Sequence, residues 1–256
     1  MADTVPTTET GNSDLVHQGE RLDDLQISGR YIIQDPGRFC FGMDAVLLAH
    51  FSVQKPADRV VDLGTGTGII PILMEAHQHG ESYIGLEIQP GSADMAERSV
   101  RYNGLSDRIS IVCGDIVKAP EILGRSCFEV VTSNPPYMIA DHGITNPQDA
   151  KAIARHEILC TLSDLVRSTA ALLVPGGRCY FVHRPFRLVD LMWEMRAAGL
   201  EPKRLRMVYP RTDKEPSMVL IEGARGGKPR LAVEPPLILM NSDGSYTDEV
   251  QKLYGF

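Results

Sequence analysis

From residue 59 onward the chain alternates two kinds of apolar pattern. The stretches "RVVDLG", "SYIGLEI", "RISIVCGD" and "CFEVVTSN" are short apolar runs that end on an acid, a glycine or an amide. Such runs predict buried strands. Between them, "GIIPILMEAHQHG" and "GSADMAERSVRYNG" space their apolar residues by three and four, and the second closes on an Asn-Gly helix stop. "LSDLVRSTAALLVPGG" predicts a further helix stopped by Pro-Gly-Gly, with a fifth strand in "RCYFVHR". After "LVDLMWEMRAAG", the runs "RLRMVYP" and "SMVLIEG" have no helix between them and predict an antiparallel pair. Strands alternating with helices imply right-handed βαβ units. The expected fold is therefore α/β, a doubly wound, seven-stranded, mostly parallel sheet with a closing antiparallel pair.

The flanks are weaker in pattern. Residues 1–13 are polar, Thr-rich and acidic, the composition of a disordered tail. Residues 22–33 are mixed, compatible with a hairpin or an extended arm. Residues 44–51, "DAVLLAHF", have helical spacing with Asp44 near the N-terminal position that favours an acid. Residues 14–52 thus form an N-terminal arm and helix ahead of the main domain at 53–256. Beyond it, "PPLILMNSDGSYTDEVQKLYGF" predicts an extended segment, a turn at Asp243-Gly244 and a short last helix.

Composition narrows the class. At 256 residues with 43% hydrophobic and 23% charged positions, the chain suits one substantial domain. No apolar run reaches the roughly 20 residues that span a bilayer, and the first residues lack a signal peptide's apolar core, so a cytoplasmic protein with no membrane partner is expected. The five cysteines, Cys40, Cys113, Cys127, Cys160 and Cys179, are scattered singly. That spacing fits a reducing compartment and small-hydrophobe packing better than a disulfide framework or thiolate metal site. No metal site is expected elsewhere, since His77 and His79 are two apart on a predicted helix and face different ways. The net charge of −7 hides an asymmetry: residues 178–230 hold twelve basic residues against six acids. A basic stretch on an acidic protein is either a nucleic-acid face or a solvated surface.

The candidate chemistry gathers at strand ends. "DLGTGTG", residues 62–68, turns the first strand of the alternation into a helix, with glycines at alternate positions rather than in the dinucleotide spacing G-x-G-x-x-G. Glycine lets backbone approach a ligand, and the helix N-terminus behind it offers N–H groups. Glu87 ends the second strand, where a carboxylate can accept both hydroxyls of a ribose; Asp115 ends the third, within reach of an adenine amino group. On the fourth, "VVTSNPPYM" runs into two prolines. Asn134 offers an amide oxygen, and Pro136 holds Pro135 extended with its carbonyl free of a helical partner. Two fixed acceptors suit both hydrogens of a planar –NH₂, and Tyr137 offers a flat face to the ring that carries it. Such an amine attacks a sulfonium methyl without a strong base, because its proton becomes acidic only after transfer. Catalysis would rest on positioning and charge stabilisation.

In this order, "VVDLGTGTGIIP", "GLEIQ", "GD" and "NPPY" resemble class I S-adenosylmethionine-dependent methyltransferases that modify an amino nitrogen. More closely, "FCFGMDAVLLAHF", "AERSVRYNGL", "SNPPY", "IARHE" and "FVHRPFRL" resemble the bacterial tRNA(Val) adenine-N(6) methyltransferase family, from about Tyr31 onward. The resemblance implies a Rossmann-like methyltransferase fold, S-adenosylmethionine as cofactor and a tRNA substrate, methylated on the adenosine 3′ of the anticodon. It places Asp62, Gly64, Gly66, Glu87, Asp115 and Asn134 at the cofactor or its methyl target, with Thr65, Gly68, Ile88 and Ile116 beside them and Asp44 closing over from the arm. Asn134, Pro135 and Tyr137 become the catalytic candidates. Pro136, Tyr137, Arg155, Arg184 and Arg187 are the substrate-binding candidates, the last two as phosphate contacts. His183 is read as structural. Related NPPY enzymes methylate glutamine in release factors, guanine in rRNA or adenine in DNA, and the hook alone does not choose among these amines. A non-catalytic cofactor- and RNA-binding module is a further alternative. The basic stretch favours RNA, with affinity falling steeply in salt; whether the chain is monomeric or dimeric stays open.

Overall fold

The central strands are apolar on both sides because helices cover both faces of their sheet. A computed structural model of the chain describes residues 13–38, 40–53, 55–56, 58–78, 80–135 and 160–253. Its sheet is built from β3 (Arg59–Leu63), β4 (Ser82–Glu87), β5 (Ile109–Cys113), β6 (Phe128–Ser133), β7 (Leu173–His183), β8 (Leu200–Tyr209) and β9 (Met218–Arg225), in the order β5-β4-β3-β6-β7-β9-β8. Pairing is parallel from β5 through β7 and antiparallel for β7 with β9 and β9 with β8. The seven strands are those the pattern predicts. Two-residue strands β10 (Ala232–Val233) and β11 (Leu237–Ile238) extend the outer edge along β8, making nine. Their brevity left no periodic signal to read.

Helices α1 (Met43–Phe51), α2 (Ile69–Gln78) and α3 (Pro90–Tyr102) contribute to the core on one side of the sheet. The one-turn α4 (Ala119–Ile122), α5 (Leu162–Leu172) and α6 (Leu188–Ala197) contribute to the core on the other. Strand residues alternate between the two: Tyr180 and Val182 enter the first core, Cys179 and Phe181 the second. The Pro-Gly-Gly does not stop α5 as expected. The helix ends at Leu172, and Pro175, Gly176 and Gly177 lie inside the early part of β7. The last helix, α7 (Asp248–Leu253), follows the expected turn and buries Val250.

The N-terminal arm resolves as a hairpin of β1 (Arg21–Asp24) and β2 (Tyr31–Gln34) laid on α3. Ile33 N–H donates to Ser99 Oγ, and Asn103 both accepts from Tyr31 N–H and donates to its carbonyl. Buried Arg98 makes a two-pronged bridge to Glu20, at 2.6 and 2.7 Å, and reaches the Leu15 carbonyl. Among the cysteines, Cys179 is buried as a packing residue, whereas Cys113 is exposed at the end of β5, against the expectation for it.

Two histidines meet across α1 and α2. The His50 and His77 rings lie 4.1 Å apart, and both Nε2 atoms are buried without a hydrogen-bond partner among the described residues. His79 lies outside the described residues. Burial, with His77 adjacent, pushes His50 down to about 4; burial lowers His77 as well, and burial takes His183 to about 4. A histidine depressed on folding stabilises the neutral protein above its unfolded value near 6.5 and loses that contribution as pH falls towards the folded value. The expected result is a melting temperature that drops steadily from pH 6.5 to 4. Substituting His50→Phe should flatten the curve; an unchanged slope would remove the pair as its cause.

Candidate active site

The glycine loop is shaped by what β4 holds against it. Gly64, Gly66 and Gly68 have φ of 75°, 58° and 85°, the left-handed region that side chains disfavour. Gly64 and Thr65 N–H groups both donate to the Leu86 carbonyl, and Gly66 N–H donates to Glu87 Oε2 at 2.9 Å. Three loop donors are therefore already engaged by β4, and the loop presents a glycine surface rather than a row of open N–H groups. Gly85 makes room for it: a Cβ there would stand 2.7 Å from Thr65 Cγ2. On the other side, Ile116 Cδ1 would meet a Cβ on Gly64 at 3.8 Å. The loop, Glu87 and Ile116 thus adjoin.

Glu87 is buried, and each of its oxygens accepts one backbone N–H, from Gly66 and from Gln89, both at 2.9 Å. A carboxylate oxygen takes more than one donor, so lone pairs remain for hydroxyls. Ile88 follows directly, half-buried, its carbonyl facing Cys113. Asp115 lies two residues past β5 and caps the 3₁₀ turn at Ile116–Lys118 by accepting from Val117 N–H at 2.9 Å. Asp44 sits in the first turn of α1, its Oδ1 accepting from Ala45 N–H.

The chain builds outward from β3 in one direction through β4 and β5, then returns to β3's other side with β6. Ligands in such sheets bind where the order reverses, beyond the carboxyl ends of the strands. Here that point is fastened. Thr132 Oγ1 donates to Asp62 Oδ1, and Ser133 Oγ donates to the Leu63 carbonyl, both at 2.7 Å and all fully buried. Asn134 and Pro135 come directly after, half-buried. The two hydroxyls therefore tie the amine-binding candidates to the glycine loop as one unit. Sequence reading passed over them, although two hydroxyls in a buried strand need partners. Pro136, Tyr137 and Arg155 lie outside the described residues.

Asp62 carries a displaced carboxyl at the strand end. Burial pushes its carboxyl up to about 6; the Thr132 hydroxyl and nearby Thr65 oppose that, and Glu87 adds to it. Its Oδ2 and the Thr65 Oγ1 are both buried with no hydrogen-bond partner among the described residues. A buried carboxylate oxygen short of a donor is a natural place for a ligand's cationic group.

The basic stretch is not a bare cationic face. Arg178 pairs with Asp58, Arg204 with Glu222 and Glu234, Arg206 with Glu249, Arg196 with Glu201 and Arg211 with Asp213. Arg225 reaches Ser126 and the Leu173 carbonyl. Three of these acids, Asp58, Glu234 and Glu249, come from outside residues 178–230, so folding offsets part of the local excess of positive charge. Arg184 Nη1 donates to the Ser217 carbonyl at 3.0 Å, and Arg187 pairs with Asp190 at 2.9 Å. His183 is buried, its Nδ1 accepting from Arg184 N–H.

The sequence profile of the methyltransferase small domain family matches residues 31–192. A Porphyromonas gingivalis protein named tRNA1(Val) (adenine(37)-N6)-methyltransferase is 30% identical over 220 residues, 83% of this chain and 86% of that one. A Tolumonas auensis protein of the same name is 29% identical over 222 residues, 86% of this chain and 90% of that one. Among solved structures, one described as a predicted O-methyltransferase from Agrobacterium tumefaciens superposes with a TM-score of 0.67 at 24% identity, covering 83% of this chain and 96% of that one. Geranyl diphosphate methyltransferase in complex with SAM superposes at 0.54 with 16% identity, covering 72% and 84%. Both structural likenesses are likenesses of fold.

Proposed function

The chain belongs to the methyltransferase small domain family, and we propose that it transfers a methyl group from S-adenosylmethionine to N6 of an adenosine in tRNA, the one numbered 37 in its relatives' names. The observation that carries this reading is the fastened switch point, where hydrogen bonds join the glycine loop to Glu87 and to Thr132 and Ser133, the residues that lead directly into Asn134. The donors and acceptors present suit the cofactor. The glycine surface and Ile116 accept an apolar, planar group. Glu87 keeps acceptor capacity for ribose hydroxyls, Asp115 stands near the neighbouring strand end for the base, and Asp62 Oδ2 calls for a cation. When bound, the cofactor supplies a methyl on a positively charged sulfur.

The chain's own part is to hold the amine. The Asn134 amide oxygen and the Pro135 carbonyl accept its two N–H bonds, raising electron density on nitrogen and favouring the pyramidal shape of attack. Tyr137 supplies the ring face. The proton leaves after transfer, so no side chain must abstract it beforehand. The chemistry asks for positioning and preorganised acceptors. Folding offsets only part of the charge of residues 178–230, so the choice of RNA over another amine rests first on the named relatives and second on that remaining charge.

Mass spectrometry of tRNA nucleosides from cells lacking this gene tests the proposal. N(6)-methyladenosine should vanish from one tRNA and return when the gene is restored. Unchanged tRNA, with a methyl group missing from a release factor or rRNA instead, would overturn it.

A further inference from the structure

α6 shows apolar residues to water as well as to the core. Its inner positions Leu191 and Met195 are fully buried, yet Phe186, Val189 and Trp193 are 65%, 79% and 74% exposed. The spacing of three and then four residues puts these three on one outward face, running from the 3₁₀ turn Pro185–Arg187 along α6. Large side chains this exposed, contiguous and partly aromatic mark a binding surface more than chance.

Its position identifies the occupant. β6 and β7 are parallel neighbours with Ser133 opposite Phe181, so the register carries Asn134 and Pro135 alongside Val182 and His183. The stripe begins three residues after His183, on the same edge of the sheet as the amine-binding candidates. Among the charged residues of this segment, Asp190 is paired with Arg187, and Arg184, Arg187 and Arg196 outnumber Asp190 and Glu194. The area is small for self-association. Three such side chains expose on the order of 400 Å², against roughly 800 Å² per partner in a standard protein interface.

We infer that Phe186, Val189 and Trp193 form a stacking platform for unpaired nucleotides of the RNA substrate beside the methylated base. This rests on the RNA reading above. Unstacked bases lie on exposed aromatic rings without hydrogen-bond readout, so the contact adds affinity while leaving base choice to the pocket. A loop nucleotide turned out of its stack leaves its neighbours in need of such a surface.

Trp193 is the chain's single tryptophan, so its emission reports this face alone. Titrating the enzyme with an unmodified tRNA1(Val) transcript should quench and shift that emission, whereas a blunt-ended RNA duplex with no unpaired nucleotide should not. Trp193→Ala and Phe186→Ala should each raise KM for the transcript about tenfold, with kcat and S-adenosylmethionine affinity within twofold of wild type. Trp193→Phe should restore most of the loss. Melting temperatures check that the variants fold. Unchanged KM and emission overturn the platform while leaving the methylation intact. An oligomer that Trp193→Ala dissociates without changing KM overturns it in favour of self-association. A wild-type enzyme that methylates no tRNA, yet shows the emission change, fails the functional reading and not the surface.

Discussion

Asn134→Ala binds S-adenosylmethionine almost as tightly as the native chain and loses methyl transfer by about 10²–10³-fold, the expected consequence of deleting one preorganised partner of the developing charge. The side chain is half-buried at the tip of β6, and the fold does not hang on it, because Thr132 and Ser133 hold the strand end through their own bonds to β3. The loss should fall on kcat. An acceptor that concentrates charge on nitrogen acts more strongly in the transition state than in the bound ground state. Calorimetry for the cofactor and single-turnover methylation of a tRNA transcript separate the two. Equal single-turnover rates for variant and native enzyme would sink the assignment, as would loss of cofactor affinity large enough to account for the whole defect.

Asp62→Asn should do the opposite, weakening the cofactor at least tenfold while raising the melting temperature of the ligand-free protein. The carboxyl is 1% exposed and held near 6 by burial. A carboxyl raised on folding contributes most stability when protonated, below its unfolded value near 3.8, and loses it as pH rises through about 6. At neutral pH the carboxylate is thus a cost to the empty fold, which the neutral amide removes while still accepting from Thr132. The same sign governs binding: a cationic ligand favours the carboxylate, so native affinity should fall as pH drops through 6, and the variant should lack that step. Calorimetry at pH 5, 6 and 7.5 reads it. A variant that binds like the native chain, or melts earlier, would show that Asp62 serves the core alone.

Much of this was legible in advance. Short apolar runs ending on an acid or amide lie where β3, β4 and β6 lie, because a strand covered on both faces has only its carboxyl end free for polar residues. β5 stops two residues short of its acid, at Cys113, with Asp115 beyond it. The antiparallel pair β8–β9 was legible because no helix separates its runs. The Pro-Gly-Gly misled, since a parallel neighbour and a bulge in its ladder with β6 admit it within β7. Charge was legible only as a count: the chain alone does not show that Asp58, Glu234 and Glu249 come back to pair with Arg178, Arg204 and Arg206, a pairing that leaves part of the excess uncancelled.

The sequence by itself determined the doubly wound sheet, the glycine loop with its strand-end acids and the amide-proline hook, because periodicity and local backbone chemistry act over a few residues. Only the tertiary structure decided that Thr132 and Ser133 fasten the hook to the loop, that one buried Asp62 oxygen lacks a hydrogen-bond partner among the described residues, and that an aromatic face of α6 stays in water. Each depends on which strands and helices become neighbours, and that is set by burial of distant apolar surface rather than by any local pattern.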